Sequence, residues 1–300
     1  MRTDFFIVGT AKAGTSALHE YLSERPEVCM CSVKEPNFFS HEEIEENGLY
    51  YKKHNVRTEE EYQRLFHARP STRLFGEASV SYLYYPSVAK RIHDYNPQAK
   101  ILICLREPVR RAYSHYCMDF ALGLVKKPIE TIWRNGVSDP ETGKHYQQYF
   151  QVSQYAPQLK KYLDVFPREQ ILIILHEDLC LYPDTVMSRI TGFLGLDASS
   201  IQQELPLENV SGLAKTRLLR WLYRHQGIRK SLRALLSDGL RERLKSLLFS
   251  RRGLPTFPVD LQLELARHYE PMTESLSVLT GLDLECWKKK NALQPTETMS

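Results

Sequence analysis

Short runs of apolar residues, bounded by polar ones, predict four buried strands at residues 5–8, 74–79, 99–105 and 170–175. Such continuous runs are typical of parallel strands that are covered on both faces. Apolar positions recur at helical spacing at residues 15–23, 82–95, 155–162, 186–196 and 261–282. Strands alternating with helices predict an α/β fold, a central mostly parallel sheet flanked by helices in a P-loop-NTPase-like three-layer sandwich.

The remaining segments are polar or basic. Residues 41–69 are rich in Glu, Lys and Tyr, and we expect them to cover the surface. Residues 213–252 are basic, with leucines at helical spacing and glycines that divide them into short helices. Because no low-complexity linker interrupts the pattern, we expect one domain over residues 1–290 and a polar, mobile tail at 291–300.

Composition narrows the class of protein. The chain has 300 residues, of which 42% are hydrophobic and 25% charged, and its net charge of +4 gives no argument for nucleic-acid binding. No apolar run approaches the roughly 20 residues of a transmembrane helix. The first strand begins within about five residues of the N-terminus, so we expect no signal peptide. The six cysteines are scattered, with Cys104 inside a predicted core strand, which favours reduced thiols and a cytoplasmic location.

The first strand leads into a loop that predicts an anion site. Residues 9–14 begin and end with glycine, and a helix follows at once. The amides of a helix N-terminus and its dipole favour a phosphate-like anion. The P-loop pattern G-x-x-x-x-G-K-[ST] is nearly present, but Thr15 stands where that pattern has lysine, and Lys12 lies in mid-loop.

A second basic site follows the strand at 99–105. Arg106 comes directly after the strand, Pro108 fits the first turn of a helix, and Ser114 lies two turns further on. Arginine and serine are suitable donors for a phosphate, although Arg106 alone is equally consistent with a solvated charge at a strand end. Two anion sites at the carboxyl ends of parallel strands suit a ligand with phosphates at both ends.

Four segments together resemble the sulfotransferases that use 3′-phosphoadenosine 5′-phosphosulfate (PAPS), in the heparan-sulfate-type and bacterial branch. Residues 9–18 are similar to the family's 5′-phosphosulfate loop, and residues 105–116 to its 3′-phosphate motif. Residues 34–39 resemble the acceptor-side segment of this branch, and residues 269–287 its closing C-terminal helix. The resemblance therefore spans nearly the whole chain in order.

This resemblance implies transfer of a sulfuryl group from PAPS to a hydroxyl or amine, with adenosine 3′,5′-bisphosphate (PAP) as product and no metal. Lys12 would neutralise charge on the bridging oxygen, and Arg106 and Ser114 would bind the 3′-phosphate. The remaining residues implied to hold the 5′-phosphate are Ala13, Gly14, Thr15, Ser16 and Ala17. Sulfuryl transfer of this kind depends mostly on positioning and on stabilising the leaving group.

On the acceptor side, the resemblance implies that Glu35 is the general base. Its alternative role is an ion pair with Lys34, which is itself expected at the acceptor. His41 and His115 are rival bases, although neither falls on a base position of the family. Glu77 and Ser79 either line the acceptor pocket or cap local turns. The acceptor class stays open among small molecules, lipids and saccharides.

The basic region near the C-terminus carries further expectations. Arg251, Arg252 and Gly253 resemble a loop over the 3′-phosphate, although the family's usual lysine is arginine here. Asn209, Ser211, Gly212 and Lys215 resemble a donor-contacting segment. The run from 215 to 245 fits either solvated helix faces or attraction to an acidic acceptor or a membrane.

Two alternative functions remain. The first is a P-loop kinase or nucleotide hydrolase, for which Glu177 and Asp178 are the only candidate magnesium-binding residues after a strand. The second is a non-catalytic protein that binds nucleotide with the same fold. The Cys29–Cys31 pair suggests a metal site only weakly, because no second pair stands at zinc spacing.

Overall fold

The computed structural model describes residues 1–47, 56–196 and 254–292, together with the residue pairs 213–214 and 249–250. Five strands form the central sheet: β1 (Phe5–Gly9), β2 (Val28–Met30), β3 (Leu74–Ala78), β4 (Lys100–Leu105) and β5 (Ile171–Leu175). Their order across the sheet is β2-β3-β1-β4-β5, and every neighbouring pair is parallel. The predicted parallel sheet is confirmed. β2 was not predicted, because three residues are too few to show a periodicity.

Twelve α-helices are described around this sheet. They are α1 (Thr15–Ser23), α2 (His41–Asn47), α3 (Glu59–Gln63), α4 (Val88–Tyr95), α5 (Pro108–Leu122), α6 (Ile129–Asn135), α7 (Gly143–Tyr149), α8 (Tyr155–Leu163), α9 (His176–Leu181), α10 (Pro183–Leu194), α11 (Val259–Thr280) and α12 (Glu285–Ala292). Short 3₁₀ turns lie at Phe38–Ser40, Gln151–Ser153 and Arg168–Gln170.

Two apolar cores, one on each face of the sheet, produce the three layers. Successive residues of β1 point to opposite faces. Phe5 and Ile7 pack with α1 and α10, whereas Phe6 and Val8 pack with α4, α5, α8 and α11. The chain therefore leaves β1 toward one face and leaves the adjacent β4 toward the other. Such a topological switch point is where open α/β sheets bind ligands, outside the carboxyl ends of the strands.

Several predicted elements need correction. The predicted helix at 82–95 begins only at Val88, because Pro86 disfavours helical geometry at the residue before it. The last predicted sheet-flanking helix, at 186–196, is Pro183–Leu194, and it ends where Gly195 takes a φ of 75°. The segment expected at the surface contributes Ile44, Tyr62 and Phe66 to the core.

The structure also differs from the prediction at the two ends of the basic region. Leu213–Ala214 (β6) and Phe249–Ser250 (β7) pair as antiparallel strands, where helices were predicted. Helix α12 extends through residues 291 and 292, which the prediction placed in the tail, and the rest of the tail lies outside the described residues.

The single domain stays a prediction. All six cysteines lie in the described part of the chain, and none of them is in a disulfide. None of the described helices is both long and apolar enough to span a bilayer.

Candidate functional site

The predicted site residues lie in successive loops at the carboxyl edge of the sheet. Lys12 follows β1, Glu35 follows β2, Ser79 follows β3 and Arg106 follows β4. Because β1, β3 and β4 are neighbours and β2 flanks β3, the sheet gathers four loops that are far apart in the sequence. The two predicted anion sites are therefore adjacent, on the switch point between β1 and β4.

The loop from Gly9 to the first turn of α1, residues 9–18, is called the donor loop below. Gly14 is the N-cap of α1 with a φ of 91°, a left-handed conformation that suits glycine. The first helical hydrogen bond runs from Leu18 N–H to Gly14 O (3.2 Å). The amides of Thr15, Ser16 and Ala17 precede that bond and point out of the helix end. No side chain caps this end, so the geometry suits an anion.

Lys12 has a second left-handed backbone conformation in this loop, with a φ of 71°. Its Nζ lies 3.7 Å from Met118 Sδ on α5, so the amine turns back over the loop toward the site after β4. Burial, with the nearby charge of Arg106, lowers the pKa of Lys12 to about 8. Asp119 opposes that shift. The loop thus holds a cation that an incoming anion would help to keep protonated.

Arg106 joins the second anion site to the first. Its Nη1 donates to the carbonyl oxygen of Lys12 at 3.1 Å, and its own carbonyl accepts from Tyr155 Oη at 2.8 Å. Burial lowers the pKa of the guanidinium. Ser114 lies half-buried on α5, the helix that begins directly after Arg106 and Glu107.

Glu107 fixes the start of α5, a role that sequence reasoning missed. Its carboxylate accepts from the amides of Val109 (2.9 Å) and Arg110 (2.7 Å), as a helix N-cap does. Its own amide donates to Glu177 Oε1 at 3.1 Å. Glu177 therefore supports the turn after β4. This contact gives the residue a structural role in place of the magnesium-binding role considered under the kinase alternative.

Glu35 lies in the loop after β2 with its carboxylate partly exposed. Lys34 Nζ donates to Glu35 Oε1 at 2.6 Å, so the ion pair of the alternative interpretation is present. The side chain of Glu35 is 40% exposed, which makes this a solvent-screened pair of small energetic value. The charge of Lys34 also lowers the pKa of Lys12, so the loop after β2 and the donor loop are close.

Glu77 and Ser79 are fully buried beneath this loop. The Ser79 hydroxyl donates to Glu77 Oε1 at 2.6 Å, and Tyr62 Oη donates to Glu77 Oε2 at 3.3 Å. Burial raises the pKa of Glu77 to about 7, and the charge of Glu35 adds to that increase. Of the two alternatives for Glu77 and Ser79, these hydrogen bonds favour the local structural role, and the contact with an acceptor stays a prediction.

The two rival histidines occupy different environments. His115 is 1% exposed and lies 3.3 Å from Arg111 Nη1, and burial together with that charge lowers its pKa well below the usual range. His41 begins α2, and its Nδ1 is 2.7 Å from the carbonyl of Phe38. His19 was not singled out in the sequence. Burial and the charge of Lys34 lower its pKa to about 4, so it is a neutral neighbour of this site.

Some predicted residues cannot be placed. Arg251, Arg252, Gly253, Asn209, Ser211, Gly212 and Lys215 lie outside the described residues, and so does the run from 215 to 245. Within the described ranges, no group of three or more His, Cys, Asp or Glu side chains is arranged to hold a metal ion.

Comparison with known proteins identifies the relatives of this chain. The family model for the sulfotransferase domain matches residues 2–241. Human heparan sulfate glucosamine 3-O-sulfotransferase 6 is 30% identical over 195 residues, covering 63% of this chain and 51% of that protein. Rat carbohydrate sulfotransferase 15 is 27% identical over 254 residues, covering 67% and 45%. The chain spans about half the length of the curated relatives it matches.

A solved structure extends this similarity to the fold. The crystal structure of a sulfotransferase from Alicyclobacillus acidocaldarius superposes with a TM-score of 0.67 at 30% sequence identity. The match covers 96% of this chain and 99% of that one.

Proposed function

Because this chain belongs to the sulfotransferase family, we propose that it transfers a sulfuryl group from PAPS to a hydroxyl or amine acceptor. The observation that carries the proposal is the hydrogen bond from Arg106 Nη1 to the carbonyl of Lys12 (3.1 Å). This bond joins two positively charged sites that suit anions. A donor with a phosphate at the 5′ position and another at the 3′ position needs two such sites side by side. Glu35 lies at the same edge of the sheet, in the loop after β2.

The residues of the donor loop fit the 5′ end of PAPS. When bound, the donor supplies the sulfuryl group, and its leaving group is PAP. The amides of Thr15, Ser16 and Ala17 hold the 5′-phosphate at the end of α1. Lys12 places its amine against the bridging oxygen and stabilises the negative charge that develops there. Arg106 and Ser114 bind the 3′-phosphate, and Arg106 can do so with two parallel donors.

Glu35 acts on the acceptor. Its carboxylate takes the proton from the attacking hydroxyl or amine as the new bond to sulfur forms. Lys34 occupies Oε1, so Oε2 is the oxygen that receives the proton. Lys34 also orients the carboxylate, which is partly exposed.

We propose a saccharide as the acceptor class to be tested first, because curated relatives are named for glucosamine and carbohydrate sulfation. A panel of glucosamine-containing oligosaccharides, simple phenols and lipid alcohols, each incubated with ³⁵S-labelled PAPS, tests this assignment. Label on an oligosaccharide supports it. Label confined to phenols or lipids would reassign the acceptor while leaving the reaction class intact.

Thermal unfolding tests the donor. PAP at a hundredfold excess over its Kd should raise the Tm by about 5 °C or more through mass action. Adenosine 5′-monophosphate, which lacks the 3′-phosphate, should stabilise much less. Arg106→Ala should remove most of the difference between the two nucleotides, which ties the preference to that guanidinium.

The two alternative functions give different results in the same experiments. Stabilisation by ATP with magnesium, without any by PAP, would favour a kinase or nucleotide hydrolase. Stabilisation by PAP without labelling of any acceptor would favour a nucleotide-binding protein that has no transfer activity.

A further inference from the structure

The loop that carries Glu35 has an unfavourable backbone conformation. Glu35 and Asn37, on either side of Pro36, have φ values of 63° and 56°. This left-handed region costs a residue with a side chain about 1–2 kcal/mol, although asparagine tolerates it better than glutamate. Such conformations persist only when surrounding contacts impose them. Residues 34–37, called the Glu35 turn below, therefore need contacts that hold them.

These contacts come from the end of β3 and from the loop that follows it. Glu35 N–H donates to the carbonyl of Ala78 at 2.8 Å, and Asn37 N–H donates to Ser79 Oγ at 3.2 Å. Ser81 Oγ donates to Asn37 Oδ1 at 2.7 Å. The side-chain amide of Asn37 (Nδ2) also donates to the carbonyl of Glu35 at 3.0 Å. Both left-handed residues are thus fixed by the end of β3 and the loop that follows it.

Glu77 determines how Ser79 can serve this turn. A serine hydroxyl has one proton, and its oxygen can also accept. Because Ser79 gives its proton to Glu77 Oε1 at 2.6 Å, its lone pairs remain for the amide of Asn37. Tyr62 donates to the other carboxylate oxygen and fixes the carboxylate in turn. Ser79 and Glu77 are both fully buried, so water does not compete for these bonds.

We propose that Ser79 and Glu77 are positioning residues for Glu35, acting through Asn37 to hold the Glu35 turn in its left-handed conformation. The proposal rests on the proposed function, in which Glu35 is the base. Neither side chain needs to touch substrate. Their contribution is the direction in which the Glu35 carboxylate faces the acceptor, and small misplacements of a catalytic group are costly to rate.

Hydrogen exchange tests the positioning without any assay of activity. In Ser79→Ala, a peptide covering residues 33–40 should exchange its amides at least about tenfold faster than in the parent protein, because the amide of Asn37 loses its acceptor. A peptide from the donor loop should be unchanged. Thr191→Val is the matched control, since it also removes a buried hydroxyl, one that bonds only within α10. Unchanged exchange at 33–40 in Ser79→Ala would overturn the proposal.

A double-mutant cycle tests whether the effect reaches Glu35. The readout is conversion of PAPS to PAP and sulfate with water as the acceptor, repeated with any acceptor that the labelling panel identifies. Ser79→Ala should lower kcat by about 10- to 100-fold with little change in the KM for PAPS. In the Glu35→Gln background, the same substitution should cost less than about threefold. An equal loss in both backgrounds, or a parallel rise in the KM for PAPS, would overturn the proposal.

Asn37→Gly provides a second variant should Ser79→Ala fold poorly. Glycine keeps the left-handed φ available but removes the bonds to Ser81 and to the carbonyl of Glu35. Because the backbone N–H of residue 37 can still donate to Ser79 Oγ, kcat should fall by less than about threefold. A loss as large as that expected for Ser79→Ala would show that the Asn37 side chain, and not Ser79, holds the turn, and would overturn the proposal. If the parent protein turns over no donor while PAP binds and exchange at 33–40 responds to Ser79→Ala, the proposed function fails and the structural support of the turn stands.

Discussion

The donor loop and the Glu35 turn lie at the same edge of the sheet, yet they are built in different ways. The donor loop is one contiguous segment, and its geometry comes from the backbone, with Gly14 at positive φ and the amides that begin α1. The Glu35 turn is held by side chains of another loop, and the residues of its Asn37–Ser79 bond are 42 positions apart in the sequence.

This difference has a physical basis. A phosphate carries a large and diffuse charge, and several amides at a helix end can bind it with modest demands on side chains. A general base must face one proton within hydrogen-bonding distance, so its backbone and carboxylate need fixing from several directions. Substitutions in the two regions should therefore have different effects. Changes in the donor loop should alter donor binding and the stabilisation of the leaving group, whereas changes behind the Glu35 turn should alter the position of Glu35 and the pH dependence of stability.

Lys12→Ala should give the largest effect. In the proposed mechanism this amine stabilises the leaving group, so its loss should lower kcat by about 10²–10³-fold, comparable to the loss of an oxyanion-hole donor. PAP affinity, measured by calorimetry, should change less than about tenfold, because the helix amides and Arg106 remain. In the parent protein, kcat/KM should also decline as the pH rises through about 8, where the buried amine of Lys12 loses its proton.

Lys126→Ala is the control for Lys12→Ala, since it removes the same unit of charge from an exposed position. It should leave both kcat and PAP affinity unchanged. If Lys12→Ala lost PAP affinity in proportion to turnover, Lys12 would be a ground-state anchor and not a leaving-group contact. The donor loop and the Glu35 turn would then differ less in their chemical roles than their different structures indicate.

Glu77→Gln tests the other region through stability. A glutamate in the unfolded chain releases its proton near 4.5, whereas buried Glu77 keeps it until about 7. Between these values the folded state binds more protons, so the native protein loses stability as the pH rises. Glutamine does not titrate. The stability of the parent relative to Glu77→Gln should therefore fall by on the order of 3 kcal/mol between pH 4.5 and 7, then level off.

Urea unfolding at a series of pH values measures this difference. Glu46→Gln, at an exposed position of α2, is the control and measures how the loss of a surface carboxylate changes the free energy of unfolding. Parallel stability curves for the parent and Glu77→Gln would show that Glu77 does not titrate in this window. Glu77 faces Ser79, Tyr62, Tyr82 and Glu35, so the position of the midpoint reports on these contacts together.

The sequence predicted which loops meet at the carboxyl edge of the sheet better than it predicted the contacts that hold the Glu35 turn. Lys12, Gly14 and Arg106 stand in short local patterns, and the parallel sheet brings those patterns together. The family that these patterns predicted is confirmed. β2 escaped prediction because three residues show no periodicity, and the helix at 82–95 was overextended because Pro86 was given too little weight.

The contact between Asn37 and Ser79 had no local signal at all. Asn37 lies in a segment that resembles the family, but its partner is known only once β2 and β3 are paired, and β2 itself was missed. The left-handed φ of Glu35 was equally hidden, since glutamate has no preference for it. Side-chain hydrogen bonds between distant loops depend on register, and single-residue shifts in register reverse which side chains meet.

Gly14→Ala should give the smallest of the three effects and tests whether the donor loop depends on its backbone. An alanine would be held at a φ of 91°, and its Cβ would lie 2.7 Å from Leu179 Cδ2. The side chain of Leu179 can move, so the conformational cost of about 1–2 kcal/mol should dominate. The Tm should fall by a few degrees, and PAP should bind more weakly because the helix-end amides are displaced.

Gly192→Ala is the matched control for Gly14→Ala, because Gly192 lies inside α10 and nothing beyond its own helix is within 4 Å of the place that an alanine Cβ would take. That substitution should raise stability by up to about 1 kcal/mol, since alanine favours a helix interior, and leave PAP affinity unchanged. A stabilising effect at both positions would mean that the left-handed φ of Gly14 is not required. Anion binding by the donor loop would then depend on side chains, just as the conformation of the Glu35 turn depends on side chains.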